Sequence, residues 1–403
     1  MFWINTNVKG VLRSALLACA VLVTLSANAQ LLPTAGQALP GLEAFDEAML
    51  ALLNKYGYPG GNLAVAYRGK LVLDKGYGFS KKSFFENTPM AAGQRMRIGS
   101  LSKWITAAAA LKAQDLGKLN LDQPLVQVLG FSEKASDYND PRVMAVTVRQ
   151  LLQNHASWVI DRDTDPIFQR SPPCPSRAQR WLGAQMLKAD PGQLFSYTNV
   201  NFCLAQLAIE KSTGQKYADF VQAQLAQPAR ITSWEFATLP GKPDEPTYTP
   251  NRIDGPQPYV SLDFEAIGGA GAWTSSAADF LRFMVAQRGQ LANASEPLLA
   301  AASFLQLTAR PKSDATSTAV VHYGLGVEVR NHSNGRVSLF HSGNLPGLST
   351  YAVTYAGGWS IVVMFNGDLP ERSMRSAFNS DAALRLREVV EKSDAPVGEI
   401  RPL

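Results

Sequence analysis

"RIGSLSKWITAAAALKAQDLGKLNLDQP", residues 97–124, decides how the rest of the chain is read. It sets Ser100 and Lys103 three residues apart in an otherwise apolar, alanine-rich run. An ammonium among Ile98, Leu101, Trp104, Ile105 and the alanines 107–110 is costly unless it is paired or used. Leu101, Trp104, Ile105, Ala108 and Leu111 recur at helical spacing, so the stretch predicts a helix stopped by Gly117. Ser100 then lies at the helix start, with Lys103 one turn later on the same face. A serine hydroxyl is a poor nucleophile until a base removes its proton. A lysine desolvated by apolar neighbours can be that base, and a helix N-terminus favours a developing anion. By itself S-x-x-K is weak, because ordinary composition produces it by chance, and a lysine that snorkels to solvent is the plain alternative.

Ahead of this helix, Lys9 and Arg13 precede the apolar run "SALLACAVLVTL" and then "ANA" before Gln30. The pattern is that of a secretory signal peptide, residues 1–29, cleaved after Ala29. "LLAC" also resembles a lipidation box at Cys19, but almost no apolar run separates it from Arg13, as that signal requires. The run is too short for a stable transmembrane helix, so no lasting membrane insertion is expected after cleavage, and a periplasmic or secreted location follows. About 374 residues remain, more than one core ordinarily supports. Basic residues are scattered rather than clustered, which gives no footing to nucleic-acid binding. Cys174 and Cys203 are expected to pair in an oxidising compartment, with two free thiols as the alternative.

Outward from the helix, residues 41–56 read as an amphipathic helix. "NLAVAYRGKLVLDKGYGF" reads as a hairpin turning at Arg68 and Gly69. Residues 120–315 are helical pattern broken by the long irregular stretches "DRDTDPIFQRSPPCPSR" and "LPGKPDEPTYTPNRIDGPQPYV", loops of a length that usually serves a site. Two further hairpins follow, around Asn334–Gly335 and Gly357–Gly358, and a helix over 372–392 closes the chain. Strands at both ends with helices between predict an α+β fold. Its antiparallel sheet is built from both chain ends and flanked by helices, with a large, mostly helical insertion. Residues 30–403 are expected to form a single domain, with an α/β part at about 40–118 and 318–393 and a helical part at about 119–317.

Other nucleophile and cofactor signals are missing. There is no G-x-S-x-G, H-E-x-x-H, C-x-x-C, P-loop or dinucleotide glycine pattern, and His155, His322, His332 and His341 lack metal-ligand spacing. No metal or organic cofactor is expected. "FSYTNVNFCL" supplies Tyr197, a candidate second proton carrier, and Asn199, a candidate hydrogen-bond partner for a substrate amide. "FHSGNLPG" puts His341, Ser342 and Gly343 on or just after a strand, where small residues let a substrate backbone approach.

These pieces together resemble the serine β-lactamase and penicillin-binding superfamily, in the branch of class C β-lactamases, D,D-carboxypeptidases and family VIII carboxylesterases. Residues 97–125 resemble its nucleophile helix, "VTVRQLLQNHASW" its "ITVRHLLTHTSG" segment, and Tyr197 with Asn199 its Y-x-N element. "GGAGAWTSSAADFLRFM" resembles its glycine-rich turn, and "HSGNLPGLSTYAVTY" its third-motif strand. The likeness runs from about residue 42 to 390 with the motifs in order.

The resemblance implies that Ser100 is acylated, that Lys103 is its base or a proton relay, and that Tyr197 shares the proton work. It also implies an oxyanion hole from the backbone N–H groups of Ser100 and Asn344. His341 stands where β-lactamases carry lysine; a neutral imidazole anchors a substrate carboxylate weakly, and a protonated one would pair with it. "HASW" departs from H-T-S-G. The implied activity is hydrolysis of an ester or amide in a small-molecule or peptide substrate, by a carboxylesterase, a D-amino-acid peptidase or a weak β-lactamase. A non-catalytic penicillin-binding or sensor module is the alternative.

Overall fold

The central strand of the molecule is apolar along its whole length. Trp359–Phe365 turns Trp359, Ile361, Val363 and Phe365 to one side and Val362 and Met364 to the other, and every residue is buried. A strand buried on both faces needs a layer on each, and the helices supply them. A computed structural model describes residues 32–83, 85–160, 165–169, 172–250, 262–291, 297–369 and 371–403. The signal peptide expected over 1–29 lies outside the described residues, as do 161–164, 170–171 and 251–260 of the stretches read as irregular.

Among the described residues, nine strands form the main sheet: β1 (Thr34–Ala38), β2 (Gly60–Tyr67), β3 (Lys70–Lys82), β4 (Asn87–Pro89), β5 (Val321–Tyr323), β6 (Glu328–Asn331), β7 (Val337–Leu345), β8 (Leu348–Thr354) and β9 (Trp359–Phe365). The order is β1-β3-β2-β9-β8-β7-β6-β5, with β4 paired to β3, and every neighbouring pair is antiparallel. The chain's two ends therefore meet in mid-sheet, where β2 pairs with β9. The predicted α+β sheet built from both ends is the observed one. The β2–β3 turn uses Arg68 and Gly69, both at positive φ, as a two-residue hairpin requires.

One face is covered by α1 (Glu43–Tyr56) and the C-terminal helix, which pack Phe45, Leu52, Phe378 and Leu386 against Val65, Ile361 and Phe365. The other face carries α2 (Ser102–Asp115), α3 (Val148–Leu152), α4 (Val200–Thr213) and α5 (Ala277–Ala286) around Trp104, Phe202 and Phe280. α2 is buried almost all round, which is why its middle is alanine: small side chains let the surrounding elements approach closely. Ser100 belongs to a separate 3₁₀ turn, Gly99–Leu101, that leads into α2. Among the described residues, no helix is long and apolar enough to cross a membrane.

Candidate active site

Lys103 is wholly buried, 0% exposed. Its ammonium donates to three oxygens: Ser100 Oγ at 3.0 Å, Asn199 Oδ1 at 2.7 Å and the Ala270 carbonyl at 2.8 Å. It also lies 5.0 Å from the Tyr197 ring centre and 5.3 Å from that of Phe202. The cation is thus paid for by three acceptors and two aromatic faces rather than by escape to solvent. One acceptor is the hydroxyl three residues upstream, within the reach proton transfer needs. The other two come from the sequence motifs. Asn199 stands at the N-cap of α4, and Ala270 belongs to the turn "GGAGAW".

The turn bearing Ser100 rests on β7. An added Cβ on Gly343 would lie 2.2 Å from the Ile98 carbonyl oxygen and 3.1 Å from the Ser100 nitrogen. One on Gly99, at φ +52°, would lie 3.1 Å from the Asn344 nitrogen. Two residues without side chains permit this approach, which sets the backbone of Ile98–Ser100 against that of Gly343–Asn344. β6 pairs with β7 only as far as Phe340, so His341–Leu345 have β8 on one side and no strand on the other among the described residues. By strand alternation Ser342 and Asn344 share the face of Phe340, so both offer the Ser100 side their backbone.

His341 is 3% exposed, and each ring nitrogen has a partner within the chain. Nδ1 lies 2.6 Å from the Ser342 carbonyl, and Nε2 lies 3.1 Å from the Tyr323 hydroxyl. The carbonyl can only accept, so Nδ1 carries a proton, and Nε2 shares a hydrogen bond with the Tyr323 hydroxyl. A direct bond from His341 to a substrate carboxylate would displace one of these. Tyr197, Tyr323, His341 and Phe195 form a ring cluster, with Tyr323 centred 6.1 Å from Tyr197, 5.9 Å from His341 and 5.8 Å from Phe195. Burial pushes the Tyr323 hydroxyl far above the usual tyrosine range, so it stays a neutral donor.

The segment "NHASW" braces the Tyr197 strand of chain. Asn154 and Ser157 both take positive φ. Asn154 Oδ1 accepts the Thr198 N–H and Asn201 Nδ2, and Ser157 Oγ accepts the Leu194 N–H. Cys174 and Cys203 are bonded, with Cα atoms 6.0 Å apart, tying the loop to α4.

Two residues beside the motifs were not read from the sequence. Tyr323 needs the β5–β6–β7 register to reach His341. Asp165 is 1% exposed and accepts the backbone N–H of Asn199 at 2.7 Å. Its only sequence signal is Asp before Pro166, which reads as a local turn.

The beta-lactamase family model matches residues 45–385. The chain belongs to the beta-lactamase family. Among solved relatives, a D-stereospecific amidohydrolase from Streptomyces sp. is 26% identical, with TM-score 0.63, covering 84% of this chain and 98% of that one. A class C beta-lactamase superposes with TM-score 0.67 at 18% identity, covering 85% and 95%. The D-amino acid amidase of Ochrobactrum anthropi does so with TM-score 0.66 at 17% identity, covering 87% and 98%. These last two show the shared fold. Among curated proteins, the probable fimbrial assembly protein FimD, serogroup H1, of Dichelobacter nodosus is 33% identical over 131 residues, 32% of each chain. The chain spans about a third of the length of the curated relatives it matches. This beta-lactamase-family chain therefore carries the fold of serine hydrolases, among them a beta-lactamase and amidases.

Proposed function

We propose that this chain is an exported serine hydrolase that cleaves an ester or amide through an acyl-enzyme on Ser100. The observation that carries the reading is the fully buried Lys103 ammonium 3.0 Å from Ser100 Oγ. Lys103, with its proton passed on, takes the hydroxyl proton as Oγ attacks the substrate carbonyl; Tyr197, against the same amine, carries a proton towards the leaving group. The carbonyl oxygen is received by the N–H groups of Ser100 and Asn344. Water then hydrolyses the ester on Ser100. Substrate backbone lies along the strandless side of His341–Leu345 in β7.

The acyl group is read as neutral and apolar. Phe195, 46% exposed at the edge of the Tyr197–Tyr323 cluster, offers a ring, while both His341 nitrogens serve the protein. Export is supported by the n-region and apolar run before Gln30 and by the Cys174–Cys203 bond.

The test is intact-mass labelling with a fluorophosphonate, followed by a panel of p-nitrophenyl esters, nitrocefin and D-alanyl-D-alanine peptides. Wild type is expected to gain one adduct and to turn over neutral esters or amides, and Ser100→Ala to gain none. Labelling of Ser100→Ala at the wild-type rate would remove Ser100 from the reaction. One adduct without turnover of any substrate would favour a binding module.

A further inference from the structure

We infer that Asp165 is a positioning residue of this site: its buried carboxylate holds the start of α4, aims Asn199 at Lys103, and supplies the negative charge that Lys103 faces. The inference rests on the serine-hydrolase reading above.

Three observations carry it. First, Asp165 Oδ2 accepts the Asn199 N–H at 2.7 Å, and Oδ1 accepts the Ile167 N–H at 3.3 Å. An N-cap asparagine ordinarily spends its side chain on the helix's first N–H groups. Asn199 makes no such bond, because its Oδ1 is turned to Lys103 Nζ. Asp165 takes a different donor at the same end, the N-cap residue's own N–H, and a carboxylate at an α4 N-terminus of fourteen helical residues also meets the favourable end of the dipole.

Second, Asp165 is too deeply buried to meet substrate directly, at 1% exposed. Burial pushes its carboxyl above the usual range, while the two N–H groups and the Lys103 ammonium pull it back. Among the described residues, Lys103 on α2 is the charged group it faces. On the short helix Phe264–Ile267, which also packs against this turn, Phe264 is buried and Asp263 and Glu265 are exposed.

Third, the same loop is fastened to α4 a second time by Cys174–Cys203, one turn beyond Asn199. Two anchors on one helical turn hold the peptide that carries Asn199.

The consequence is electrostatic as well as mechanical. A nearby carboxylate favours the ammonium form of Lys103, so removing it makes the free amine available at lower pH. The experiment measures fluorophosphonate acylation rate by intact mass from pH 5 to 9, with Tm at each pH, for wild type, Asp165→Asn, Asp165→Glu and Asp165→Ala. Asp165→Asn is expected to lower the plateau rate about tenfold and move the acid limb down by about half a unit or more. Asp165→Glu, which keeps the charge, should hold the wild-type limb and recover part of the rate. If Asp165→Ala does not fold, the Asn and Glu pair still decides. An acid limb in Asp165→Asn that coincides with wild type overturns the inference, whatever happens to Tm, because a packing role alone leaves the limb in place. Absence of labelling in wild type overturns the serine-hydrolase reading and this inference with it; wild-type labelling with an unmoved limb overturns this inference alone.

Discussion

Replacing Gly343 by alanine tests whether the seat of the Ser100 turn on β7 makes the oxyanion hole. The new Cβ would stand 2.2 Å from the Ile98 carbonyl oxygen, 2.4 Å from Thr350 Oγ1 and 3.1 Å from the Ser100 nitrogen. Neither oxygen gives way easily. Ile98 O is backbone, and Thr350 Oγ1 is held by bonds to Ile98 O at 3.0 Å and Gly343 O at 3.2 Å. Restoring ordinary contact requires the turn and the strand to separate by about 1 Å, a displacement that alone can cost about a hundredfold in rate. It also parts the N–H groups of Ser100 and Asn344, and loss of one such donor costs about 10²–10³ in kcat. Overpacking of this kind lowers stability by about 1–3 kcal/mol, so the variant is expected to remain folded. The assay is the second-order rate of fluorophosphonate acylation and of ester turnover, beside urea unfolding. The control is Gly357→Ala, in a hairpin turn where an added Cβ has nothing within 4 Å. The expected result is a folded Gly343→Ala protein acylated at least about a hundredfold more slowly, with Gly357→Ala at the wild-type rate. Acylation of Gly343→Ala within about threefold of wild type would refute the reasoning, since no donor could then have been lost.

Three further outcomes are expected. Lys103→Ala should slow acylation by about 10²–10⁴-fold while far-UV circular dichroism stays native, because water can enter to serve Asn199 Oδ1 and Ala270 O; an unchanged rate would show that the proton leaves Ser100 by another route. Glu328, opposite Tyr323 and Phe340 on β6, has its carboxyl pushed by burial up to about 7. The folded state therefore keeps a proton the unfolded chain has lost, and stability falls as pH rises from about 4.5 to 7. Glu328→Gln should match wild type near pH 4 and exceed it at pH 8 by about 1–3 kcal/mol in urea unfolding, the full shift being discounted for partial solvent access; a difference that does not vary with pH would contradict this. Removing the disulfide with Cys174→Ser and Cys203→Ser frees a loop of sequence separation 29 and should cost about 3–4 kcal/mol, read as the gap between the variant and oxidised wild type; reduced and oxidised wild type of equal stability would argue against it.

Much of this architecture is legible in the chain because it is local. The serine and lysine lie three residues apart where a short 3₁₀ turn runs into α2, the hairpins turn at Arg68–Gly69, Asn334–Gly335 and Gly357–Gly358, and the alternating faces of β9 announce a two-sided strand. The resemblance reached further, to Asn344, because motif order stands in for tertiary contact. What stayed hidden depends on register or on a loop's path. Tyr323 meets His341 only because Glu328 pairs with Tyr323 on one side and Phe340 on the other. That pairing, which the sequence does not display, gives both ring nitrogens of His341 partners within the chain. Strand β1, exposed along most of its length, has no alternating apolar pattern to reveal it; it is defined by pairing with β3.

Asn199 shows why the site itself is the place where sequence rules give out. An asparagine just before an apolar helical run reads as a cap, and by position it is one. Its side chain nevertheless turns away from the helix to hold Lys103, while its own N–H points out of the helix to a separate acceptor. The acceptor is supplied by Asp165, thirty-four residues upstream. A buried cation, a cap that does not cap and a buried carboxylate are each unfavourable alone. Together they satisfy one another: the ammonium takes the amide oxygen, and the amide's backbone takes the carboxylate. Local propensity is set aside at Asn199 because the energetic unit is the trio, and only the fold brings its three members together.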